Sequence, residues 1–399
     1  MSSTTPSVVP APAAQQELVP LLDLKRQYES IKADITAAIE RVLTTQYFVG
    51  GPEVEAFERE SAAYLGAGDC AGCNSGTDAL WLALAAVGAK PGDRVITSPF
   101  TFFASASSIT RCGATPVFAD IEPATFNLDS ASVQKLLGEL RGVRAVMPVH
   151  LYGQCADMDA LGALAKQHNL AIIEDAAQAF GSTWRGKKAG TLGKAGAFSF
   201  YPTKNLSAYG DGGAISTDDH DLAAHVRRLR NHGSPERYYH AEIGGNSRLD
   251  ALQAAVLRVK LKHIDRWNQQ RRSVAAKYEG LFRATGMVKD KATTVEAQAP
   301  VALLQTSPEA FHIYHQYVVR AWRRDELRSF LTGRGISTEI YYPVPLHLQQ
   351  SFTDLGYKAG DLPESERAAR ESLALPMFPE LRENEQQRVV TAIADFYSL

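Results

Sequence analysis

Hydrophobic positions along the chain follow two spacings, and the alternation of these spacings defines the predicted elements. Apolar residues recur at every third or fourth position over residues 23–43, which predicts an amphipathic helix. A second helix is predicted over Pro52–Leu65, because a proline begins it and Gly66 follows it. Short apolar runs then alternate with helical stretches, and these runs are 94–97, 116–119, 143–149 and 170–174. Such alternation predicts βαβ units and a largely parallel sheet.

The pattern changes after Lys204. Two strand-like runs, 197–201 and 213–217, are followed by helical segments over 222–231 and 248–282, and the rest of the chain mixes strand and helix patterns. The N-terminus is rich in Ser, Thr, Pro and Ala and lacks the basic residues of a targeting signal. The chain is therefore divided into a disordered tail, a large α/β domain and a small C-terminal α+β domain, over residues 1–17, 18–255 and 256–399.

Composition narrows the class of protein. The 399 residues are 45% hydrophobic and 22% charged, which is typical of a globular protein with a large core. Lys and Arg number 42 against 44 Asp and Glu, so the basic surface of a nucleic-acid-binding protein is not expected. No apolar run reaches the ~18 residues of a membrane span. Four cysteines are too few for a disulfide framework, which favours the cytoplasm.

Two short motifs near residue 70 have simple structural interpretations. Gly66-Ala67-Gly68 begins a loose dinucleotide-binding pattern, but such a site needs a strand before it, whereas a helix is predicted there. Gly66 is therefore interpreted as the C-cap of that helix. Cys70 and Cys73 have no second cysteine pair or nearby histidine to complete a zinc site, so we interpret them as small buried residues and expect no metal.

The segment from Asn74 to Asp78 is the first of three stronger signals. It joins a short strand to an apolar helix, and its Gly76 and Thr77 lie where the helix begins. Unpaired N–H groups at a helix start, with a glycine and hydroxyls beside them, favour an anion such as phosphate. The alternative is that Ser75 or Thr77 only caps the helix.

The second and third signals bring a carboxylate and an amine. The apolar run 170–174 leads directly into Asp175, which would place this carboxylate at the carboxyl edge of the sheet, with Gln178 on the same side. Asp175 as a helix cap is the alternative. Lys204 lies between an apolar run and the glycine cluster 210–213, where a partly apolar pocket would lower its pKa and make it a nucleophile toward carbonyls. A solvated loop lysine is the alternative.

Together these residues match the requirements of pyridoxal 5′-phosphate (PLP). Lys204 supplies the amine for the aldehyde, and Asp175 supplies the acid partner for the pyridine nitrogen. The groups available for the phosphate and for covering the ring are Gly76, Thr77, Ser199 and Phe102.

At this point the sequence resembles the DegT/StrS family of sugar-nucleotide aminotransferases over nearly its whole length, from about residue 22 to 379. The segments that carry the resemblance are NSGTDAL (74–80), SPFTFFASAS (98–107), GATPVFADI (113–121), PVHLYGQ (148–154), EDAAQAFGS (174–182), FSFYPTKNLSAYGDGG (198–213), NSRLDALQAA (246–255) and YYPVPLHLQ (341–349). The resemblance implies an α/β protein of fold type I, with a mostly parallel mixed sheet in the large domain and a smaller α+β domain.

The resemblance also implies roles for individual residues. Lys204 would hold PLP covalently and act in catalysis, Asp175 would pair with the pyridine nitrogen and Gln178 would donate to the ring oxygen. The remaining cofactor contacts, by stacking or through the phosphate, would be Phe102, Ser199, Gly76 and Thr77. Asn246 would reach the cofactor phosphate of a neighbouring subunit, which implies a homodimer with shared sites. The implied substrate-binding residues are Arg248, Tyr341 and Tyr342.

The implied reaction moves an amino group from L-glutamate to a keto-sugar nucleotide, linked to dTDP or UDP, with the C-3 ketone favoured. Amination at C-4, a PLP-fold dehydratase and a non-catalytic PLP-binding sensor are the alternatives. Dehydratases of the family replace the lysine with His, so Lys204 favours amination. A nicotinamide-dependent dehydrogenase is disfavoured by the position of the glycines at 66–68.

Overall fold

The computed structural model describes residues 17–398, so the predicted disordered tail lies almost entirely outside the described residues. The helices of the described chain are α1 Leu24–Thr45, α2 Pro52–Leu65, α3 Gly76–Ala86, α4 Ala104–Arg111, α5 Ser130–Glu139, α6 Met158–His168, α7 His220–Leu229, α8 Ala251–Leu261, α9 Ile264–Ala284, α10 Arg324–Gly333, α11 Pro363–Glu371 and α12 Glu383–Ser398. The strands are β1 Asp69–Cys73, β2 Arg94–Thr97, β3 Thr115–Phe118, β4 Val143–Met147, β5 Ala171–Asp175, β6 Thr183–Trp184, β7 Lys187–Lys188, β8 Ala195–Ser199, β9 Gly213–Thr217, β10 Val301–Leu303, β11 Ala310–Phe311, β12 Tyr317–Ala321 and β13 Ser372–Leu375.

A seven-stranded sheet forms the centre of the large domain, in the order β1-β9-β8-β5-β4-β2-β3. Neighbouring strands run parallel except for β9, which is antiparallel to both β1 and β8. Asp175 in β5 pairs with Ala197 in β8, so the carboxyl ends of these two strands meet at one edge. The predicted α/β class with a mostly parallel mixed sheet is confirmed.

Helices cover both faces of this sheet, as its hydrophobic strands require. Side chains alternate along a strand, so the neighbours Ile172 and Ile173 in β5 enter different apolar clusters. The cluster that contains Ile172 is built with α1, α2, α5, α6 and α8, whereas that of Ile173 is built with α3, α4 and α7. The sheet is therefore buried between two helical layers.

The long helix predicted over residues 248–282 is wrong, because two helices occupy this region. Helix α8 ends at Leu261, and α9 begins at Ile264 after a break at Lys262 and His263. The sequence has no glycine or proline at the break, so its helical pattern continues through it. Packing decides the outcome: α8 lies against α1 and α2, whereas α9 runs on into a second core.

That second core lies around the antiparallel sheet β10-β12-β13 and includes residues of α9, α10 and α12. Trp267 of α9 packs into the core of the large domain, whereas Tyr278 of the same helix packs into the second core. The N-terminal Val19 also joins the second core and forms a β-bridge with Ile336. The junction between the cores thus runs along α9, and the boundary at residue 255 stays a prediction.

Candidate active site

Three chain segments meet at the edge where β5 and β8 end. Asp175 is the last residue of β5, Ser199 is the last residue of β8 and Gly76 is the first residue of α3. A Cβ atom added to Gly76 would lie 2.5 Å from Ser199 Cβ, so the helix start and the strand end are in direct contact. This edge of an open α/β sheet is where such folds bind their ligands.

Asp175 is a buried carboxylate without an ion-pair partner in the described chain. Its Oδ2 accepts a hydrogen bond from Ser105 Oγ at 2.6 Å, and its Oδ1 accepts one from the Ala177 N–H at 3.2 Å. Burial raises the pKa of Asp175, while these hydrogen bonds and the charges of Lys204 and His150 act in the opposite direction. A protonated pyridine nitrogen would supply the positive partner that this carboxylate lacks.

Lys204 follows β8 on the same edge. Burial lowers the pKa of its amine to about 8, and the charge of Asp175 partly opposes this effect. No residue of the described chain accepts a hydrogen bond from its Nζ. A partly desolvated amine of this kind is neutral for a useful fraction of the time near neutral pH and can attack a carbonyl carbon.

Gln178 is oriented by its two neighbours. Its Oε1 accepts a hydrogen bond from the Tyr152 N–H at 2.6 Å, which leaves the amide nitrogen facing the opposite direction. That nitrogen donates to the Tyr342 hydroxyl at 3.1 Å, so the structure brings Tyr342 to the predicted cofactor residues. Tyr341 is held through its backbone, because the Tyr152 hydroxyl donates to the Tyr341 carbonyl.

The start of α3 forms an open anion cradle against Ser199. Ser75 is the N-cap, since its Oγ accepts a hydrogen bond from the Asp78 N–H at 3.1 Å. The N–H groups of Gly76 and Thr77 have no acceptor within the helix, as at any helix start. The space beside them exists only because Gly76 has no side chain. A phosphate fits this combination of N–H groups, helix dipole and serine hydroxyl.

Phe102 is an exposed aromatic residue beside the site, with 58% of its surface accessible. Its ring centroid lies 6.3 Å from that of Tyr342, whose hydroxyl contacts Gln178. An aromatic face left open beside a free amine and a buried carboxylate is suited to cover a flat ring. The residues present therefore fit PLP at each of its recognition points.

Asn246 and Arg248 lie on the segment between α7 and α8. Among residues 17–398, neither makes a hydrogen bond or an ion pair to Lys204 or Asp175. Asn246 is exposed, whereas the Arg248 guanidinium donates to Asn231 Oδ1 at 2.7 Å. Between them, the Ser247 carbonyl accepts a hydrogen bond from the Asn74 N–H at 3.0 Å, which places the segment beside the start of α3. The predicted roles of Asn246 and Arg248 stay predictions.

The structure also shows how the two short motifs near residue 70 are folded. Gly66 caps α2 in a left-handed conformation, as predicted. Cys70 and Cys73 are free and buried, and burial raises the pKa of both thiols. Within the described residues, no group of three or more His, Cys, Asp or Glu side chains is placed to hold a metal ion.

The side chains that hold the predicted site residues in place were not predicted from the sequence. Ser105 holds Asp175, and Thr101 Oγ1 lies 2.9 Å from Ser105 Oγ, both within the segment 98–107 that carries the family resemblance. His315 and Asn205 were also missed: His315 Nδ1 lies 3.2 Å from Asn205 Oδ1, next to Lys204 in the chain. The family motif over residues 98–107 includes Ser105 and was the available signal for it. The hydrogen bond of Ser105 with Asp175 joins residues that are 70 positions apart, so the motif alone does not predict it.

The fold and this site define a PLP-dependent enzyme of fold type I. A family model described as the DegT/DnrJ/EryC1/StrS aminotransferase family matches residues 29–394. The chain therefore belongs to this aminotransferase family.

Three comparisons illustrate its relatives. A protein of Geobacillus stearothermophilus named "Pleiotropic regulatory protein" is 51% identical, with 95% of this chain and 98% of that protein aligned. The dTDP-3-amino-3,4,6-trideoxy-alpha-D-glucose transaminase of Streptomyces venezuelae is 44% identical, with 96% and 97% aligned. The X-ray structure of S. venezuelae DesV in complex with a ketimine intermediate superposes with a TM-score of 0.90 at 44% identity, covering 96% of this chain and 99% of that one.

Proposed function

We propose that the protein transfers an amino group from L-glutamate to the C-3 ketone of a dTDP- or UDP-linked sugar. The observation that carries the proposal is the Lys204 amine, which has a lowered pKa, no hydrogen-bond acceptor in the described chain and a buried carboxylate on the same edge. The C-3 position is supported by the S. venezuelae relative, whose name specifies a 3-amino sugar. Amination at C-4 is the second candidate within this reaction class.

When bound, PLP supplies a conjugated ring that accepts the electron pair left on a carbon after its proton is removed. Lys204 Nζ would be the group that takes the proton from Cα of the amino donor and gives it up again later in the same half of the reaction. Asp175 keeps the pyridine nitrogen protonated, and Gln178 Nε2 donates to the ring oxygen. Gly76, Thr77 and Ser199 would hold the phosphate, and Phe102 would cover the ring. In the second half of the reaction the same residues serve the keto sugar, with the proton transfers reversed.

Turnover is favoured over a sensory role by the residues of the site. The relative named as a regulatory protein makes a non-catalytic PLP-binding sensor the alternative to test. A sensor has no need for a free proton-transfer amine, whereas Lys204 is combined here with Asp175 and with an oriented Gln178. A dehydratase is disfavoured because Lys204 is present at the position where the family's dehydratases carry His.

We further propose a cytoplasmic homodimer with Asn246 reaching the site of the neighbouring subunit. The segment before Asn246 carries exposed apolar residues, including Tyr238, Tyr239 and Ile243, and Ile243 is 95% accessible. Such a patch is typical of an interface with another chain.

All four cysteines are free, which suits a reducing compartment. Among residues 17–398, no helix combines the length and apolarity that a membrane span needs. Arg248, Tyr341 and Tyr342 are the proposed contacts with the sugar nucleotide.

Covalent trapping tests the proposal. The protein is incubated with PLP, reduced with borohydride, digested and weighed by mass spectrometry. We expect the pyridoxyl mass on Lys204 and not on Lys260, which is a matched internal control because burial lowers its pKa as well, to about 7. The variant Lys204→Ala should carry no covalent tag.

The visible absorbance of the unreduced protein separates the candidates. We expect L-glutamate to bleach the band of bound PLP and a 3-keto-sugar nucleotide to restore it. A band that L-glutamate leaves unchanged would support the sensor, and a tag on another lysine would refute the assignment of Lys204.

A further inference from the structure

Two buried hydroxyl groups lie behind the carboxylate of Asp175. Ser105 Oγ is 2.6 Å from Asp175 Oδ2, and Thr101 Oγ1 is 2.9 Å from Ser105 Oγ. Ser105 is fully buried and Thr101 is 2% accessible, so bulk water does not compete for these hydrogen bonds. Both residues lie on or just before α4, on a different element from the strand that carries Asp175.

The direction of the two hydrogen bonds that link Thr101, Ser105 and Asp175 follows from the carboxylate, because it is the last acceptor of the three groups. An ionised carboxylate can only accept, so Ser105 donates its hydroxyl proton to Asp175 Oδ2. The Ser105 oxygen is then free to accept, and Thr101 donates to it. The second carboxylate oxygen accepts the Ala177 N–H at 3.2 Å. Each oxygen of Asp175 is thus fixed by one donor and keeps lone pairs for a further one.

We propose that Ser105, supported by Thr101, is a positioning residue that fixes the orientation and the charge of the Asp175 carboxylate for the pyridine nitrogen of PLP. This inference rests on the proposed role of Asp175. A hydrogen bond from a neutral donor to a charged acceptor is stronger than one between neutral groups, and it stabilises the ionised form selectively.

Several groups set the charge of Asp175, and Ser105 acts among them. Burial raises the pKa of Asp175, and the Ser105 hydrogen bond is the largest influence in the opposite direction, ahead of the Ala177 N–H, Lys204 and His150. The phenol of Tyr342 also interacts with this carboxylate: burial raises the pKa of the phenol, and the charge of Asp175 raises it further. Removal of the Ser105 hydroxyl therefore raises the pKa of Asp175 further, and the carboxylate takes up its proton at a higher pH.

The full-length protein, freed of cofactor, provides a test that does not depend on turnover. PLP affinity is measured by titration between pH 5 and 9, since protonated Asp175 cannot pair with a protonated ring nitrogen. We expect Ser105→Ala to weaken PLP binding about tenfold at neutral pH, because a hydrogen bond to a charged group is lost. The pH below which PLP binding is lost should also move upward. Ser105→Thr, which keeps the hydroxyl, should restore both properties.

Ser108→Ala is the matched control, because Ser108 is equally buried on α4 but donates to the Ser105 carbonyl and not to Asp175. Thr101→Val should shift PLP binding in the same direction as Ser105→Ala by a smaller amount, and it replaces that variant if Ser105→Ala does not fold. An unchanged pH dependence of PLP binding in Ser105→Ala, or an equal shift in Ser108→Ala, would overturn the role of Ser105 and leave the proposed function unaffected. Wild-type protein that binds no PLP would overturn the proposed function as well.

Discussion

Burial lowers the pKa of three lysine amines in the described chain, those of Lys188, Lys204 and Lys260, and Lys260 has no role in the proposed reaction. Lys260 on α8 is 2% accessible and donates to Ser207 Oγ at 2.9 Å, with Nζ 4.4 Å from the centre of the Tyr209 ring. Among the described residues, no carboxylate lies within ion-pair distance of it. Ser207 and Tyr209 belong to the segment that follows Lys204, so Lys260 helps to hold residues 204–209 in place.

We predict that Lys260 makes folding stability depend on pH. Burial lowers the pKa of Lys260 to about 7 in the folded protein, whereas a lysine in an unfolded chain titrates near 10.4. Between these values the unfolded chain binds more protons, so stability rises with pH, by at most about 1.4 kcal/mol per pH unit. The melting temperature of Lys260→Met should therefore rise less between pH 7 and 10 than that of the wild type.

Lys262→Met is the control for this measurement, because Lys262 is exposed and lies two positions further along the chain. It should show the same pH dependence as the wild type. If the melting curves of Lys260→Met and of the wild type stayed parallel across this pH range, Lys260 would not be titrating as its burial implies.

At the scale of elements, the site depends on how closely α3 approaches the end of β8. A Cβ atom at residue 76 would lie 2.5 Å from Ser199 Cβ and 3.1 Å from Ser199 Cα. Because one of these atoms belongs to the backbone, a rotamer change cannot relieve the contact. Only glycine at the first position of α3 allows the helix N–H groups and the Ser199 hydroxyl to face one small volume.

Gly76→Ala is expected to separate the helix from the strand and to weaken PLP binding. Overpacking of a tight contact typically costs about 1–3 kcal/mol of stability. Gly162→Ala in α6 is the control, since an added Cβ meets no atom within 4 Å there. PLP titration and thermal melting should show a loss for Gly76→Ala, and unchanged affinity with equal or slightly higher stability for Gly162→Ala. Wild-type PLP affinity in Gly76→Ala would refute the cradle.

The elements that the sequence predicts well are those with local signals at their ends. Pro52–Leu65 is a helix with the predicted bounds, because proline and Gly66 mark its two ends within the chain itself. The break between α8 and α9 has no such signal, since it arises from packing against two different cores. Contacts between distant residues, such as that of Ser105 with Asp175, leave no periodicity in either segment.

The same distinction holds for the whole molecule. Lys204 and Asp175 could be placed together from the sequence because parallel strands deliver their carboxyl ends to one edge. The hydrogen bond between Gln178 and Tyr342 spans 164 residues and depends on how the C-terminal part folds back, which no local pattern encodes. Val19 is likewise part of the second core and bridges Ile336, although it lies only two residues after the start of the described chain.

The assembly leads to a prediction about where Asn246 acts. Its backbone neighbour Ser247 contacts Asn74 of the same chain, yet its own side chain is exposed, next to the apolar patch around Ile243. A two-fold symmetric dimer would cover this patch and carry the exposed asparagine toward the partner's phosphate cradle. We predict that a complete site takes Lys204 from one subunit and Asn246 from the other.

Mixed dimers distinguish this arrangement from a site built within one chain. Lys204→Ala and Asn246→Ala subunits are given different tags, coexpressed and purified as heterodimers. If Asn246 serves the partner, one site of each heterodimer has both residues intact and the other has neither, so PLP tagging on Lys204 and amino transfer should recover at one site per dimer. If Asn246 serves its own chain, each site lacks one residue and neither property recovers. Homodimers of each variant, which lack one of the two residues at every site under both arrangements, are the controls.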